Sequence, residues 1–247
     1  MNLYLITGTG AGLGLALAQA LLAQDGNEVV CISRTRAPGL EQARFHALDM
    51  SDPHAVSPVL DLIAAELKGR TFAKAVLINN AGVPGPVGPL ERLDIDAMIA
   101  NFNVNLVSAV VVMRCFLAMT EAMAPVRRVI NISSGLGRKP MSGTAPYCAA
   151  KAGVDMVSRV AALEAATRGT GVDIVSLAPG IIDTGMQTYM RAQSVADLPD
   201  AQAFQAFKAG GSLRAAADVA ADILQLEAAG KLAGEPVADL RTLLAQQ

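Results

Sequence analysis

A glycine-rich turn between an apolar segment and a helical pattern constrains the fold of this chain more than any other feature. Residues 3–8 form a short apolar run that predicts a buried strand, and residues 15–23 follow an Ala/Leu-rich helical pattern. The segment 8–14 between them has a glycine at every second position. Such glycines let the backbone turn tightly and approach a pyrophosphate, and the N-terminus of the following helix favours the anion. The arrangement predicts a phosphate-binding turn, although a flexible turn without a ligand is the alternative.

The remainder of the chain alternates between strand-like and helix-like segments. Apolar runs predict further strands at residues 28–33, 43–48, 75–79, 128–133 and 172–178. Helical patterns occur at residues 147–167, 218–229, 53–67 and 94–123, the last of them bent or broken near its middle. Apolar strands that alternate with helices are typical of a parallel sheet covered on both faces. We therefore predict a single α/β domain over residues 1–247, with a doubly wound parallel sheet and helices on both faces.

One long segment falls outside this alternation. Residues 184–212 show no clear periodicity and are predicted to be irregular. They follow the sixth predicted strand at its carboxyl end, which is the edge where open α/β sheets bind ligands. We therefore expect this segment to cover a substrate.

Composition and charge disfavour several classes of partner. The 247 residues carry a formal net charge of −2, so electrostatics give no reason to expect nucleic acid. Met1 and Asn2 lead directly into the first predicted strand, and the apolar stretches are too short for a membrane span or are broken by polar residues. The three cysteines and two histidines have no disulfide or metal spacing. We expect a cytoplasmic protein with reduced thiols, no metal, and no nucleic-acid or membrane partner.

Three polar residues in the second half of the chain could perform acid–base chemistry. Tyr147 and Lys151 stand four residues apart, and Ser134 precedes the tyrosine by thirteen residues. A phenol has an ordinary pKa of about 10, too high for efficient proton transfer near neutral pH. An ammonium one helical turn away would lie on the same helix face and lower the pKa of the phenol. A serine hydroxyl alongside could hold a carbonyl oxygen while the tyrosine donates a proton to it.

Five motifs, in order along essentially the whole chain, resemble those of the short-chain dehydrogenase/reductase family. They are the turn at residues 7–14, residues 79–82 after the fourth strand, Asn105, the trio of Ser134, Tyr147 and Lys151, and Pro179-Gly180 with Thr184. Any one of them could arise by chance, whereas the ordered set is typical of the family. The resemblance implies a Rossmann-type fold and hydride transfer between a nicotinamide cofactor and a carbonyl or alcohol.

The resemblance also implies roles for four catalytic residues. Tyr147 would be the general acid in reduction and the base in the reverse direction. Lys151 would lower the pKa of Tyr147 and bond the nicotinamide ribose, and Ser134 would orient the substrate carbonyl and stabilise developing negative charge. Asn105 would anchor a water that connects the lysine to solvent; alternatively, it is a polar residue that bends the helix and is satisfied locally.

The end of the second predicted strand indicates which nicotinamide cofactor binds. NAD-binding members of the family usually carry an acidic residue there, which accepts hydrogen bonds from the ribose 2′-hydroxyl. This chain has Ser33 and Arg34, with Arg36 two residues further on. A guanidinium can bind a 2′-phosphate with paired hydrogen bonds, so we predict NADP(H), unless Arg34 is an ordinary solvated arginine. By the same resemblance Asp49 and Met50 would lie beside the adenine, although Asp49 could be only a turn or helix cap.

The motifs together predict the residues of two binding sites, and no metal ligands. The predicted cofactor-binding residues are Gly8, Thr9, Gly10, Gly12, Leu13, Gly14, Ser33, Arg34, Asp49, Met50, Asn80, Ala81, Gly82, Tyr147, Lys151, Pro179, Gly180, Ile182 and Thr184. The predicted substrate-binding residues are Ser134, Met141, Tyr147, Met186 and Gln187.

The substrate class is suggested by the segment that follows the sixth strand. Residues 179–187 are similar to the corresponding segment of sepiapterin reductases and the related bacterial benzil reductases, and so is Ser33-Arg34. These enzymes reduce one carbonyl of a vicinal dicarbonyl, or a ketone on a pterin side chain. Sepiapterin reductase anchors its pterin with an aspartate near the C-terminus, but Asp239 is out of register here and is expected to cap the last short helix. The resemblance implies an NADPH-dependent carbonyl reductase acting on a ketone or vicinal dicarbonyl.

The sequence also bears on two alternative functions and on the oligomeric state. The first alternative is a 3-oxoacyl thioester reductase or another alcohol dehydrogenase of the same family. A basic docking patch near the pocket would favour the thioester reductase, and the sequence shows no convincing one. A non-catalytic NADP(H) sensor is disfavoured because all four catalytic residues are present. Residues 106–123 and 148–166 carry surplus apolar surface, and the corresponding family helices pack against their copies in a second subunit. We therefore expect a homodimer or homotetramer.

Overall fold

The computed structural model describes residues 1–246. Within them, a single parallel sheet has the strand order β3-β2-β1-β4-β5-β6-β7. Its strands are β1 (Asn2–Thr7), β2 (Asn27–Ser33), β3 (Arg44–Ala47), β4 (Lys74–Asn79), β5 (Val126–Ile132), β6 (Val172–Ala178) and β7 (Val237–Asp239). The helices are α1 (Gly12–Leu22), α2 (Val56–Glu66), α3 (Ile95–Phe102), α4 (Ser108–Thr120), α5 (Ala145–Thr167), α6 (Gly185–Arg191), α7 (Ala201–Ala209), α8 (Ala216–Ala228) and α9 (Leu240–Ala245). The predicted doubly wound, Rossmann-type α/β fold is confirmed.

The central strands are mainly apolar because helices cover both faces of the sheet. Alternate residues of β1 point to opposite sides, so that Tyr4 and Ile6 belong to one core and Leu3 and Leu5 to the other. Helices α1 and α8 cover the first core, whereas α2, α4 and α5 cover the second. Both sets of side chains are buried, which is why these strands read as continuous apolar runs instead of alternating ones.

The strand order reverses at the centre of the sheet, where β1 lies between β2 and β4. The loops that leave two strands at such a reversal diverge to opposite faces of the sheet and open a crevice at the carboxyl ends. The glycine turn after β1 and the loop after β4 therefore lie on either side of one crevice. The fold thereby brings together two of the motifs that the sequence separates by some seventy residues.

The long helical segment predicted at residues 94–123 is interrupted in its middle, as expected. It consists of α3, a π-helical turn at Asn103–Val107, and α4. By length and composition alone, the run Ile95–Thr120 could cross a membrane. In the fold it is divided by the π turn, and α4 packs against β4 and β5 with Val112 and Phe116 fully buried.

Two features differ from the sequence prediction. Residues 184–212 are not irregular, because they contain α6 and α7, which pack through Met190, Leu198 and Phe204 into a small core of their own. Strand β7 has only three residues and pairs only with β6, and no pattern in the sequence predicts it. The six predicted strands all exist and agree with the structure to within two residues at each end.

Candidate active site

A cleft of about 1380 Å³ lies along the carboxyl ends of the strands. The loops after β1 to β6 form its floor and walls, and α6 and α7 close one end. Typical small-molecule pockets measure about 300–1,000 Å³, so this cleft has room for an extended ligand together with a second, smaller one.

The turn after β1 depends on its glycines. Gly8 and Gly12 have φ angles of 74° and 59°, in the left-handed region that favours glycine. At Gly14 a Cβ atom would lie 2.3 Å from the Gly8 carbonyl oxygen, so a side chain there would push α1 away from the turn. The glycines thus hold the N-terminus of α1 at the cleft, where its backbone N–H groups and dipole favour an anion.

The remaining predicted residues of this turn divide into two groups. Gly10 and Leu13 line the cleft, as do Gly8 and Gly12. Thr9 is fully buried and donates a hydrogen bond from its hydroxyl to Ser33 Oγ at 3.2 Å, so it supports the turn from behind.

Arg34 directly follows β2, is exposed to solvent and lines the cleft. The neighbouring arginine, Arg36, instead stacks over the Phe45 ring, 5.1 Å from its centre. Asp49 also lines the cleft and caps a turn, since its carboxylate accepts a hydrogen bond from the Ser51 backbone N–H at 2.9 Å. That bond lowers the pKa of Asp49, and the charge of Arg34 lowers the pKa further. Arg34 is therefore the arginine that faces the ligand space at this end.

The loop after β3 is held from the side of the π turn. Ser108 donates to the Met50 carbonyl at 2.7 Å, and Asn103 donates to the Ser51 carbonyl at 3.0 Å. These bonds fix Met50 in the wall of the cleft.

Asn80, Ala81 and Gly82, after β4, also line the cleft. The backbone N–H groups of Asn80 and Ala81 donate to the Thr7 hydroxyl, each at 3.0 Å. A Cβ atom on Gly8 would lie 2.8 Å from the Ala81 Cα, so the two loops are in direct contact. The opposite wall is formed by Pro179, Gly180, Ile182 and Thr184.

Asn105 lies in the π turn, beneath the cleft and not in its wall. Its Oδ1 accepts from the Val83 N–H at 3.0 Å, and its Nδ2 donates to the Val83 carbonyl at 2.9 Å. The side chain is therefore satisfied locally, which was one of the two alternatives. It is close to the lysine all the same: a Cβ on Gly82 would lie 3.0 Å from Asn105 Oδ1 and 3.6 Å from Lys151 Nζ.

Ser134, Tyr147 and Lys151 meet in the middle of the cleft. Ser134 caps the short turn that follows β5, because its hydroxyl accepts from the backbone N–H of Leu136 at 3.1 Å. Lys151 Nζ donates to the Ile132 carbonyl at 2.9 Å and lies 5.8 Å from the centre of the Tyr147 ring. The predicted trio is thus brought together by the start of α5 and the end of β5.

Burial is the largest influence on the pKa values of Tyr147 and Lys151. It raises the pKa of Tyr147 to about 12, and an interaction with the Ser134 hydroxyl offsets only part of that rise. Burial also lowers the pKa of Lys151 to about 8, against the opposing charge of Asp155. The expected lowering of the Tyr147 pKa by Lys151 is therefore wrong in direction for this structure, because burial is the largest influence on that pKa.

The end of the cleft near Tyr147 is mainly apolar. The Tyr147 hydroxyl lies 3.8 Å from the sulfur of Met186, and Met141 and Gln187 line the same end. Helices α6 and α7 complete it with Phe204 and other apolar side chains. Residues of α6 and α7, within the segment 184–212, thus line this part of the cleft.

Several residues of the cleft are not predicted from the sequence. They include Pro84, Pro86, Asn101, Arg138, Lys139, Asp239 and Arg241. Asn101 precedes Asn105 by one helical turn, and that spacing could have indicated it. Asp239 does cap α9, by accepting from the Arg241 N–H at 3.0 Å, which confirms the expected cap. No spacing rule brings Arg138 and Asp239 to one place.

Comparison with known proteins agrees with this geometry. Residues 2–195 match the family model described as short chain dehydrogenase. The chain is 35% identical to a benzil reductase ((S)-benzoin forming) from Bacillus cereus, over 86% of this chain and 88% of the relative. It is 32% identical to a sepiapterin reductase from Rattus norvegicus, over 65% of this chain and 61% of the relative.

Two further similarities concern another reductase and the fold itself. The chain is 34% identical to a 3-oxoacyl-(acyl-carrier-protein) reductase from Salmonella typhimurium, over 76% of this chain and 72% of the relative. The crystal structure of a short chain dehydrogenase/reductase from Saccharomyces cerevisiae superposes with a TM-score of 0.82, at 20% identity and covering 97% of this chain and 96% of that one.

The lowered pKa of Lys151 predicts a pH dependence of stability. Its pKa rises from about 8 in the folded chain to its ordinary value of 10.5 on unfolding, so the unfolded chain binds more protons between these values. The contribution of Lys151 to the free energy of unfolding should therefore increase with pH across this window, by at most about 1 kcal/mol per pH unit. Chemical denaturation of the wild type and Lys151→Met from pH 8 to 10 measures it as the difference between the two slopes. Parallel curves would contradict the shift.

Proposed function

The chain belongs to the short-chain dehydrogenase/reductase family, and on that premise we propose that it is an NADPH-dependent carbonyl reductase acting on a ketone or vicinal dicarbonyl. Family membership makes it an oxidoreductase of carbonyl or alcohol groups. The main support for NADPH-dependent carbonyl reduction is that Ser134, Tyr147 and Lys151 converge on one cleft, next to the glycine turn.

The residues along the cleft fit a nicotinamide dinucleotide. A side chain at Gly12 would come within 3.3 Å of the Thr184 methyl group, so the turn keeps a space between the two walls that only glycine leaves open. The N-terminus of α1 faces that space and suits a pyrophosphate. The wall residues Asp49 and Met50 suit the adenine end, and Lys151 suits the nicotinamide ribose. When bound, the cofactor supplies the hydride.

The preference for NADP(H) rests on Arg34. This residue is exposed and lines the cleft directly after β2, while Arg36 is occupied by Phe45. An arginine can give a 2′-phosphate two parallel charge-assisted hydrogen bonds, which an NAD ribose cannot match.

Within the trio, each residue has a separate task. Tyr147 is protonated at neutral pH and donates its proton to the carbonyl oxygen of the substrate as that oxygen gains negative charge. Ser134 donates a hydrogen bond to the same oxygen. Lys151, with a pKa of about 8, is mostly protonated at neutral pH and stabilises the phenolate left behind. Asn105 commits both side-chain atoms to Val83, so a water that links Lys151 to solvent would be held by its main chain.

The apolar end of the cleft supports a hydrophobic ketone or dicarbonyl as substrate. Met186 stands next to the Tyr147 hydroxyl, and Met141 and Phe204 line the same end. The relative that is a benzil reductase covers 86% of the chain, which favours the same substrate class here.

A 3-oxoacyl thioester reductase is the second candidate, because one relative has that activity. The structure adds a basic rim that the sequence does not indicate, formed by Arg138, Lys139 and Arg241. However, Arg138 is paired with Asp155 at 3.1 Å and Arg241 with Asp239 at 3.2 Å. Only Lys139 of the three therefore remains to attract an anionic arm, and the dicarbonyl proposal is stronger.

The proposed assembly is a homodimer in the cytoplasm. Met156, Val160 and Leu163 form an exposed apolar stripe on α5 at helical spacing. Ile99 and Val107 extend this surface from α3 and the π turn, which pack beside α5. An isologous contact between two copies would bury both helices at once. All three cysteines are free thiols, which suits a reducing compartment.

The reaction is tested by NADPH oxidation at 340 nm with benzil, a 1,2-alkanedione, sepiapterin, an acetoacetyl thioester and an aromatic aldehyde. We expect preferential turnover of the dicarbonyls. Turnover of the thioester alone would favour the second candidate, and NADPH binding without any turnover would favour a sensor.

Removal of the proposed proton donor gives the sharpest test of the mechanism. Tyr147→Phe should lower kcat by about 10²–10⁴-fold, since it removes the general acid, and should leave NADPH binding nearly intact. Tyr189→Phe, which removes a second phenol from the same cleft, is the matched control and should keep most of the activity. Full activity of Tyr147→Phe would contradict the proposed role of Tyr147 as the proton donor.

Cofactor preference is tested by Arg34→Ala. The loss of paired charge-assisted hydrogen bonds should raise the Kd of NADPH by roughly 10- to 100-fold and leave that of NADH almost unchanged. Fluorescence titration with both cofactors measures this. Arg36→Ala serves as the control, because its guanidinium is stacked on Phe45. Equal weakening of both cofactors by Arg34→Ala would remove the argument for NADP(H).

The assembly is tested by placing a charge in the stripe on α5. Leu163→Glu should convert the dimer into a monomer in sedimentation experiments, because a buried carboxylate there would lack a partner. Leu62→Glu adds the same charge at an exposed leucine of α2 and should leave the dimer intact. A wild type that sediments as a monomer would contradict the proposed assembly.

A further inference from the structure

A buried carboxylate lies directly behind the proposed catalytic serine. Asp155 stands on α5, one helical turn after Lys151, and its side chain is 7% exposed. Burial of a charged group is costly unless partners compensate it, so its contacts indicate what it is kept for.

Three polar groups from three segments satisfy this carboxylate. Its Oδ1 accepts from the hydroxyls of Ser133 and Ser176, both at 2.6 Å. Its Oδ2 accepts from Arg138 Nε at 3.1 Å. Ser133 directly follows β5, Ser176 lies in β6, and Arg138 follows the short turn after β5.

Two of these partners stand on either side of Ser134. Ser133 is the residue before it, and Arg138 closes the turn at Gly135–Gly137 that Ser134 caps. Asp155 therefore holds both ends of the loop that carries the serine hydroxyl. A change in this anchor would move that hydroxyl relative to Tyr147, although Asp155 does not line the cleft itself.

The same carboxylate also carries charge next to the lysine. The titratable groups on the helix around Lys151 are Tyr147, Cys148 and Asp155. From the neighbouring elements come the charged Arg138, which is paired with Asp155, and the neutral Ile132 carbonyl and Asn105. Burial lowers the pKa of Lys151, and the negative charge of Asp155 raises it again. Without that charge, less of the ammonium would persist at neutral pH.

We propose that Asp155 is a positioning residue for carbonyl reduction: it fixes the Ser134 loop through Ser133 and Arg138 and helps to keep Lys151 charged. This inference rests on the proposed reductase function and assigns a task to a residue outside the catalytic four. In a purely structural role, by contrast, Asp155 would only join α5 to β5 and β6 and would not affect catalysis.

The test is Asp155→Asn, assayed with NADPH and the best carbonyl of the panel across pH 6 to 10. An amide keeps the size of the side chain, but it loses the charge and cannot accept bonds on both sides. We expect kcat to fall by about 10- to 100-fold, as for other small displacements of a catalytic group. The basic limb of kcat/KM for NADPH should move to lower pH, while the Kd of NADPH stays unchanged.

Asp173→Asn is the matched control. Asp173 is also paired with an arginine, Arg128, at 2.8 Å, but it lies at the start of β6, away from the cleft. It should keep the kcat and pH profile of the wild type. If Asp155→Asn shows the same kcat and pH profile as the wild type, or loses only thermal stability, the inference is overturned.

A second pair of variants covers the case in which Asp155→Asn does not fold. Ser133→Ala and Ser176→Ala each remove one hydroxyl from the same carboxylate oxygen. Ser133→Ala should lower kcat, because it loosens the Ser134 loop, whereas Ser176→Ala should lower Tm with little effect on kcat. Equal effects on kcat would overturn the positioning role.

These outcomes separate the two proposals. Wild-type protein that binds NADPH but reduces no carbonyl would refute the reductase function and this inference with it. Active wild type with normal Asp155→Asn would refute only the role of Asp155.

Discussion

The site depends on one buried hydroxyl, that of Thr7 at the end of β1. It donates to Asn79 Oδ1 at 3.2 Å and accepts from the N–H groups of Asn80 and Ala81 at 3.0 Å each. A hydroxyl has one donor and two acceptor positions, and all three are used. Asn79 in turn donates to Asn131 Oδ1 on β5 at 3.2 Å. Because these bonds join three strands at the reversal of strand order, a slip in register would displace the glycine turn and the loop after β4 together.

The burial that positions the catalytic groups also opposes their ionisation. Tyr147 and Lys151 sit where a charge is poorly solvated, so the pKa of the phenol rises to about 12 and that of the lysine falls to about 8. Transfer of a proton from the phenol nevertheless becomes favourable once charge develops on a carbonyl oxygen close by. In a site of low polarity the ammonium then interacts strongly with the phenolate. In the proposed mechanism, the fold keeps both groups protonated at rest and concentrates the electrostatic stabilisation on the reacting state.

The sequence predicts the sheet and the glycine turn well because both depend on local pattern. Five of the six longer strands are mainly apolar runs flanked by turn residues, and Tyr147 and Lys151 share a helix face by spacing alone. Helices α6 and α7, by contrast, have at most nine residues and no side-chain caps, so their stability comes from tertiary packing around Met190 and Phe204. The pKa of Tyr147 is predicted in the wrong direction because spacing reports the neighbouring charge but not the burial. The role of Asp155 is not predicted either, because its partners Ser133, Arg138 and Ser176 lie on other elements and are distant in sequence.

The pairing of Asp239 with Arg241 limits which ligands this carboxylate can bind. Asp239 lines the cleft, but both its oxygens are committed to Arg241, which donates from its backbone N–H, Nε and Nη2 at 3.0–3.2 Å. A donor-rich ring such as a pterin would need both oxygens of the carboxylate to accept further bonds, whereas three of its roughly four lone-pair positions are already used by Arg241. A dicarbonyl has no hydrogen-bond donors of its own. It needs only hydrogen bonds from the Ser134 and Tyr147 hydroxyls and contact with an apolar wall. The commitment of Asp239 to Arg241 therefore favours a diketone over a pterin in this cleft.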